Sequence, residues 1–123
     1  MYYHVWFVTK YRKPVLQGKI EETIKNIFSE CIARHSYNVL EFETNKDHAH
    51  MLVERDNKQD LASMVRVLKS VSAKEILASI PRFSRSNTKR HFWAKRYGYK
   101  EINKDAIKYL REYIRNQKNI KHD

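Results

Sequence analysis

The hydrophobic spacing of this chain switches between a strand-like period of two and a helix-like period of about 3.6, and the order of the switches limits the fold more than any other feature. Tyr2 to Lys10 is dense in aromatic and β-branched residues and reads as a strand, followed by the basic turn Lys10-Tyr11-Arg12-Lys13-Pro14. Ile20, Ile24, Ile27, Phe28, Cys31 and Ile32 recur at helical spacing and predict a helix over 18–35. Residues 37–44 and 48–54 are strand-like runs around Asn45-Lys46-Asp47, a hairpin turn. Leu61, Met64, Val65, Leu68, Val71 and Ile76 mark a second helix that Pro81 ends. Residues 82–90 are basic and rich in Ser, Asn and Thr, and read as a loop. His91 to Ile102 reads as a fourth strand, bent at Gly98, and a last helix follows from a cap at Asn103 through Ala106, Ile107, Leu110 and Ile114.

The resulting order, β-α-β-β-α-β-α, predicts an α+β fold. Its first six elements match a ferredoxin-like split βαβ arrangement, an antiparallel sheet with helices on one face, to which a C-terminal helix is added. With only two glycines and two prolines, long linkers are not expected, and the 123 residues are read as one domain over 1–123.

Charge narrows the function. Lys and Arg number 25 against 14 Asp and Glu, a formal net charge of +11, which points to a polyanionic partner such as nucleic acid. The single cysteine, Cys31, excludes an internal disulfide and falls on the apolar face of the first helix, so it reads as core in a reducing compartment. No apolar run approaches the roughly 20 residues that span a bilayer, and Tyr2 to Val8 lacks the features of a signal peptide. A cytoplasmic location without membrane association is expected.

Two short motifs carry the chemistry. Asp47-His48-Ala49-His50 lies on a predicted strand, where alternate side chains share a face, so the two imidazoles point the same way at roughly 7 Å along the strand. Ala49, Met51 and Val53 form the opposite, apolar face and anchor against helices, which leaves the histidines on an open sheet surface. Tyr113-Ile114-Arg115-Asn116-Gln117 lies near the end of the last helix, where Tyr113 and Gln117 share one stripe at roughly 6 Å. Two imidazoles, an amide oxygen and a phenol suit a divalent-metal site beside a nucleophile. The plain reading of each part is structural: alternate histidines pack in half-buried strands, and helix tyrosines are amphipathic packing residues. Tyr109 shares the stripe one turn earlier, and periodicity does not choose between it and Tyr113. Asp47 is read as a turn residue, with orientation of an imidazole as the alternative. His4, His35, His91 and His122 are left as structural or surface residues.

Five segments occur together in order: Tyr3-His4-Val5-Trp6-Phe7-Val8-Thr9-Lys10-Tyr11-Arg12-Lys13-Pro14-Val15-Leu16, Asp47-His48-Ala49-His50-Met51-Leu52-Val53, Leu68-Lys69-Ser70-Val71-Ser72-Ala73, Phe92-Trp93-Ala94 and Tyr113-Ile114-Arg115-Asn116-Gln117. In these the chain resembles transposases of the IS200/IS605 insertion-sequence family, single-tyrosine members of the HUH endonucleases, over nearly its whole length. The resemblance implies His48, His50 and Gln117 as metal ligands and Tyr113 as the nucleophile. It also implies a homodimer whose active sites join the histidines of one subunit to the tyrosine helix of the other. The substrate it implies is single-stranded DNA with hairpin-marked ends, nicked and rejoined through a 5′-phosphotyrosine. Relatives often carry a glycine just before the tyrosine helix; here that stretch is Lys100-Glu101-Ile102-Asn103.

The cofactor expected is a divalent metal, Mg²⁺ or Mn²⁺: the resemblance implies Mg²⁺ as the usual ion, and Mn²⁺ is expected to support the reaction because imidazole suits transition metals better than Mg²⁺. Lys10, Arg12, Lys13, Arg66, Lys69 and Lys74 are candidate phosphate contacts, and Arg82, Arg85, Lys89 and Arg90 a candidate basic arm. Two other readings stand beside this one: an inactive or domesticated protein that grips hairpin nucleic acid without chemistry, and another HUH nuclease acting on palindromic repeats.

Overall fold

The computed structural model describes residues 1–80 and 92–116. Strand β1 spans Tyr2–Val8 and leads through a 3-10 turn at Lys10–Arg12 to helix α1, Gly18–Arg34. Strands β2 (Asn38–Asn45) and β3 (His48–Glu54) form a hairpin, and helix α2 (Lys58–Ser79) follows. Strand β4 (Gly98–Ile102) and a 3-10 turn at Lys104–Ala106 lead into helix α3, Ile107–Arg115. The sheet order is β2-β3-β1-β4, with every neighbouring pair antiparallel. This is the expected α+β, ferredoxin-like arrangement.

Residue parity explains the layers. Tyr3, Val5 and Phe7 of β1 and Ala49, Met51 and Val53 of β3 are at most 1% exposed, and they form one core with residues of α1 and α2. α1 contributes Ile20, Ile24, Phe28 and Cys31, while α2 contributes Leu61, Met64, Val65, Leu68 and Ile76. Trp93 completes this layer, its ring 4.8 Å from Phe7 and its indole N–H donating to Ser72 Oγ at 2.8 Å. Burial raises the pKa of the Cys31 thiol, in keeping with a core residue. Asn57 caps α2 by accepting from the Asp60 amide, and Asn103 accepts from the Asp105 amide at the turn before α3.

Two expectations need correction. The fourth strand starts at Gly98, not His91: Trp93 makes only an isolated bridge with Thr9 and sends its ring into the core, and His91 lies outside the described residues. The histidine face of the sheet is also not open. α3 lies over β2 and β3 on that face, burying Ile114 and Leu52 completely, and Arg115 and Arg111 of α3 reach Glu41 of β2 at 3.0 and 3.8 Å. The apolar residues at helical spacing in α3 needed a surface to cover, and the even face of β3 supplies it.

Candidate active site

His48 opens β3, and its position is fixed from the turn before it. Its Nδ1 lies 2.8 Å from Asp47 Oδ1, and the other oxygen of Asp47 accepts from Arg12 Nε at 3.1 Å. Burial alone would raise the Asp47 pKa, but hydrogen bonds from His48 and Arg12 outweigh it and hold the carboxyl below its ordinary value. The turn that carries Arg12 is clasped to the same residue. Buried Thr9 donates its amide to the Asp47 carbonyl at 2.8 Å and its hydroxyl to the carbonyls of Lys13 (2.7 Å) and Asp47 (3.2 Å). Asp47 therefore orients the imidazole, beyond its place in the hairpin turn.

His50 stands two residues on, with its ring centre 5.4 Å from that of His48. It is only 4% exposed. Its Nδ1 lies 3.4 Å from Nε2 of His4, while its own Nε2 is buried without a hydrogen-bond partner, the sole side-chain nitrogen or oxygen in that condition among the described residues. Burial, then the charges of His48 and His4, push the His50 pKa down to about 4, so the ring is neutral near pH 7. A neutral imidazole with an unpartnered buried nitrogen is a competent metal donor. His4, read from the sequence as structural or surface, belongs to this group. The signal was its parity: even residues of β1 leave the core face, and β1 pairs directly with β3.

α3 brings Tyr113 to the same place. Its ring meets that of His50 edge-on at 6.4 Å and 84°, within one chain, and it is 51% exposed. Tyr109 is 75% exposed. Gln117 lies outside the described residues, so of the three ligands expected from the sequence the structure describes the positions of His48 and His50. Among the described residues no three His, Cys, Asp or Glu side chains are arranged to hold one ion.

The candidate phosphate contacts divide. Lys69 is committed to the protein: its ammonium donates to the carbonyls of Ala94, Lys95 and Arg96 at 2.6, 3.2 and 3.4 Å, and burial lowers its pKa. Arg12 pairs with Asp47. The Lys10 and Lys13 ammonium groups lie 5.3 and 6.0 Å from the ring centre of exposed Tyr11. Arg66 and Lys74 are exposed on α2. Arg82, Arg85, Lys89 and Arg90 lie outside the described residues, as does His122. Among the described residues no helix is long and apolar enough to cross a membrane.

A family model described as IS200-like transposase matches residues 1–117. The chain is 25% identical over 115 residues to the ISDra2 transposase TnpA of Deinococcus radiodurans, covering 94% of this chain and 82% of that protein. It is 27% identical over 115 residues to the transposase for insertion sequence element IS200 of Salmonella typhimurium, covering 94% and 75%. Among solved structures, a Deinococcus radiodurans protein assigned as a transposase superposes with a TM-score of 0.73 at 22% identity, over 95% of this chain and 90% of that one. A REP associated tyrosine transposase bound to a REP hairpin superposes with a TM-score of 0.65 at 12% identity, over 94% and 64%. Both likenesses are of fold.

Proposed function

The chain belongs to the IS200-like transposase family, and on that premise we propose that it nicks and rejoins single-stranded DNA at hairpin-marked ends, with Tyr113 as nucleophile. One observation carries the residue assignment: the Tyr113 ring stands against His50, whose buried Nε2 has no partner in the protein. DNA as substrate is supported by the family, by the net charge of +11, and by a fold neighbour described as bound to a REP hairpin.

The donor set fits a divalent ion. The Asp47 carboxylate takes Nδ1 of His48, leaving Nε2 as that ring's free donor, and His50 is neutral with a free nitrogen. His48, His50 and Gln117 would hold the ion, Mg²⁺ or Mn²⁺. When bound, such an ion supplies Lewis-acid polarisation of the scissile phosphodiester. The chain's own residues do the rest. Arg12 and Asp47 hold the His48 ring in place, and α3 presents the Tyr113 hydroxyl at the edge of the histidine face. Attack by that oxygen forms the tyrosine–phosphorus bond and breaks the bond to the 3′-oxygen, which leaves as a 3′-hydroxyl after taking a proton. The 5′-phosphotyrosine keeps the phosphodiester energy, so a second 3′-hydroxyl reverses the step at a new junction without ATP. Homodimeric assembly and cytoplasmic location are parts of the proposal that rest on the family resemblance and the sequence.

The test is to incubate the protein with Mn²⁺ and single-stranded DNA carrying the flanks of its own coding sequence, then denature. A covalent protein–DNA adduct that requires the ion and is lost in His48→Ala and Tyr113→Phe is expected. Binding without any adduct would favour the reading of a hairpin-binding protein without chemistry.

A further inference from the structure

The histidine face is only half covered. α3 lies over β2 and β3, while on β1 the Trp6 side chain stays 38% exposed. In the antiparallel pairing of β1 with β4, Trp6 stands opposite Gly98 and His4 opposite Lys100. A Cβ on Gly98 would lie 2.3 to 2.5 Å from indole atoms Cε2, Nε1 and Cζ2, so the ring rests against bare backbone in space that only glycine leaves free. The Trp6 ring is 5.2 Å from that of His4, His4 is in contact with His50, and His50 meets Tyr113.

We propose that Trp6, seated on Gly98, is the stacking platform for an unpaired nucleobase beside the phosphate handled at His50 and Tyr113. The inference rests on the nucleic-acid reading above and adds a binding residue to it. A large aromatic left partly in solvent gives up burial that the fold would otherwise use. Stacked against a base, the same surface is covered without any demand for sequence, because every base has a π-face. Lys100, opposite His4 in the β1–β4 pairing, adds positive charge to this edge. A strand of DNA laid along this edge would thus meet a cation and a fixed aromatic ring before reaching Tyr113.

The competing explanation is purely structural, in which the indole shields the backbone of a strand glycine. The two differ in what DNA does to the ring. Trp6 and Trp93 are the two tryptophans of the chain, and Trp93 is buried in the core. Tryptophan emission is therefore recorded while single-stranded DNA carrying the flanks of the coding sequence is titrated in, with binding followed separately by anisotropy of a labelled copy. Emission should be quenched in step with binding in the wild type, and the quench should vanish in Trp6→Phe, which retains most of the affinity. Trp6→Ala should bind about 5- to 100-fold more weakly. If that variant does not fold, the wild type against Trp6→Phe still decides. Adduct formation and binding with unchanged emission, and equal affinity in the variants, would overturn the platform and leave the parent reading standing. A wild type that neither binds this DNA nor forms an adduct would remove both.

Discussion

Asp47 and His48 form one unit: a carboxylate oxygen lies 2.8 Å from the imidazole Nδ1, and the other oxygen is held by Arg12 from the turn after β1. The contact fixes which ring nitrogen remains available and joins the basic turn after β1 to the histidine that opens β3. Its loss should be visible in metal binding before it is visible in folding. Asp47→Ala is expected to weaken Mn²⁺ binding about 10- to 100-fold, the usual range for partners of a ligating histidine, and Asp47→Asn less. Electron paramagnetic resonance of free Mn²⁺ checks this; equal affinity in wild type and Asp47→Ala would contradict it.

The low pKa of His50 makes the metal-free protein acid-sensitive. Folded, the ring titrates at about 4, against 6.5 for an unperturbed histidine, so between those values the unfolded chain binds a proton that the folded chain refuses. Stability is therefore complete above about 6.5 and falls as pH drops toward 4. His4, lowered by burial and then by Lys100, acts in the same direction. The melting temperature of chelator-treated protein should decline across this window, with a shallower slope in His50→Gln. Identical slopes would show that another group sets the acid limit.

Lys69 is expected to matter for stability where its basic neighbours do not. Hydrogen bonds from a charged donor contribute about 1.5–3 kcal/mol, and the Lys69 ammonium serves three carbonyls of residues 94–96. Lys69→Met should lower unfolding free energy by about 1–3 kcal/mol in urea titrations, while Arg66→Ala and Lys74→Ala stay within about 0.5 kcal/mol. A Lys69→Met protein as stable as wild type would return Lys69 to the phosphate-binding group.

Ser72 sits inside α2 with its hydroxyl donating to the Leu68 carbonyl at 2.6 Å and accepting from the Trp93 indole at 2.8 Å. Ser72→Ala leaves a buried indole N–H unpaired, at a cost of about 1–3 kcal/mol. Denaturant unfolding tests this, and a neutral substitution would mean that the indole finds another acceptor.

The helices and the strand order were legible because burial repeats at fixed periods: the predicted apolar faces of α1 and α2 are the faces that pack. The start of β4 was not legible, since Phe92 and Trp93 have the composition of a strand but are core plugs on an irregular segment. Short-range spacing points to His48 and His50 and to the stripe that holds Tyr109 and Tyr113, the family resemblance selects Tyr113, and the fold sets its ring against that of His50. The place of His4 in the site and the pairing of Arg12 with Asp47 escaped because their partners lie 46 and 35 residues away, and only strand pairing and the Thr9 clasp bring them close. Lys69 looked like a phosphate contact because a sequence shows its charge and not the carbonyls that it meets. The expected third ligand, Gln117, lies outside the described residues, so its place remains with the family resemblance.

The most direct measurement is to find which residue carries the DNA. After reaction with the flanking single strand, the protein is denatured and digested with trypsin, which cuts after Lys108, Arg111 and Arg115 and so separates Tyr109 from Tyr113. Mass spectrometry of the nucleotide-linked peptide should place the phosphate on Glu112-Tyr113-Ile114-Arg115. A phosphate on Tyr109-Leu110-Arg111, or on any peptide outside α3, would contradict the account of Tyr113 acting beside His50.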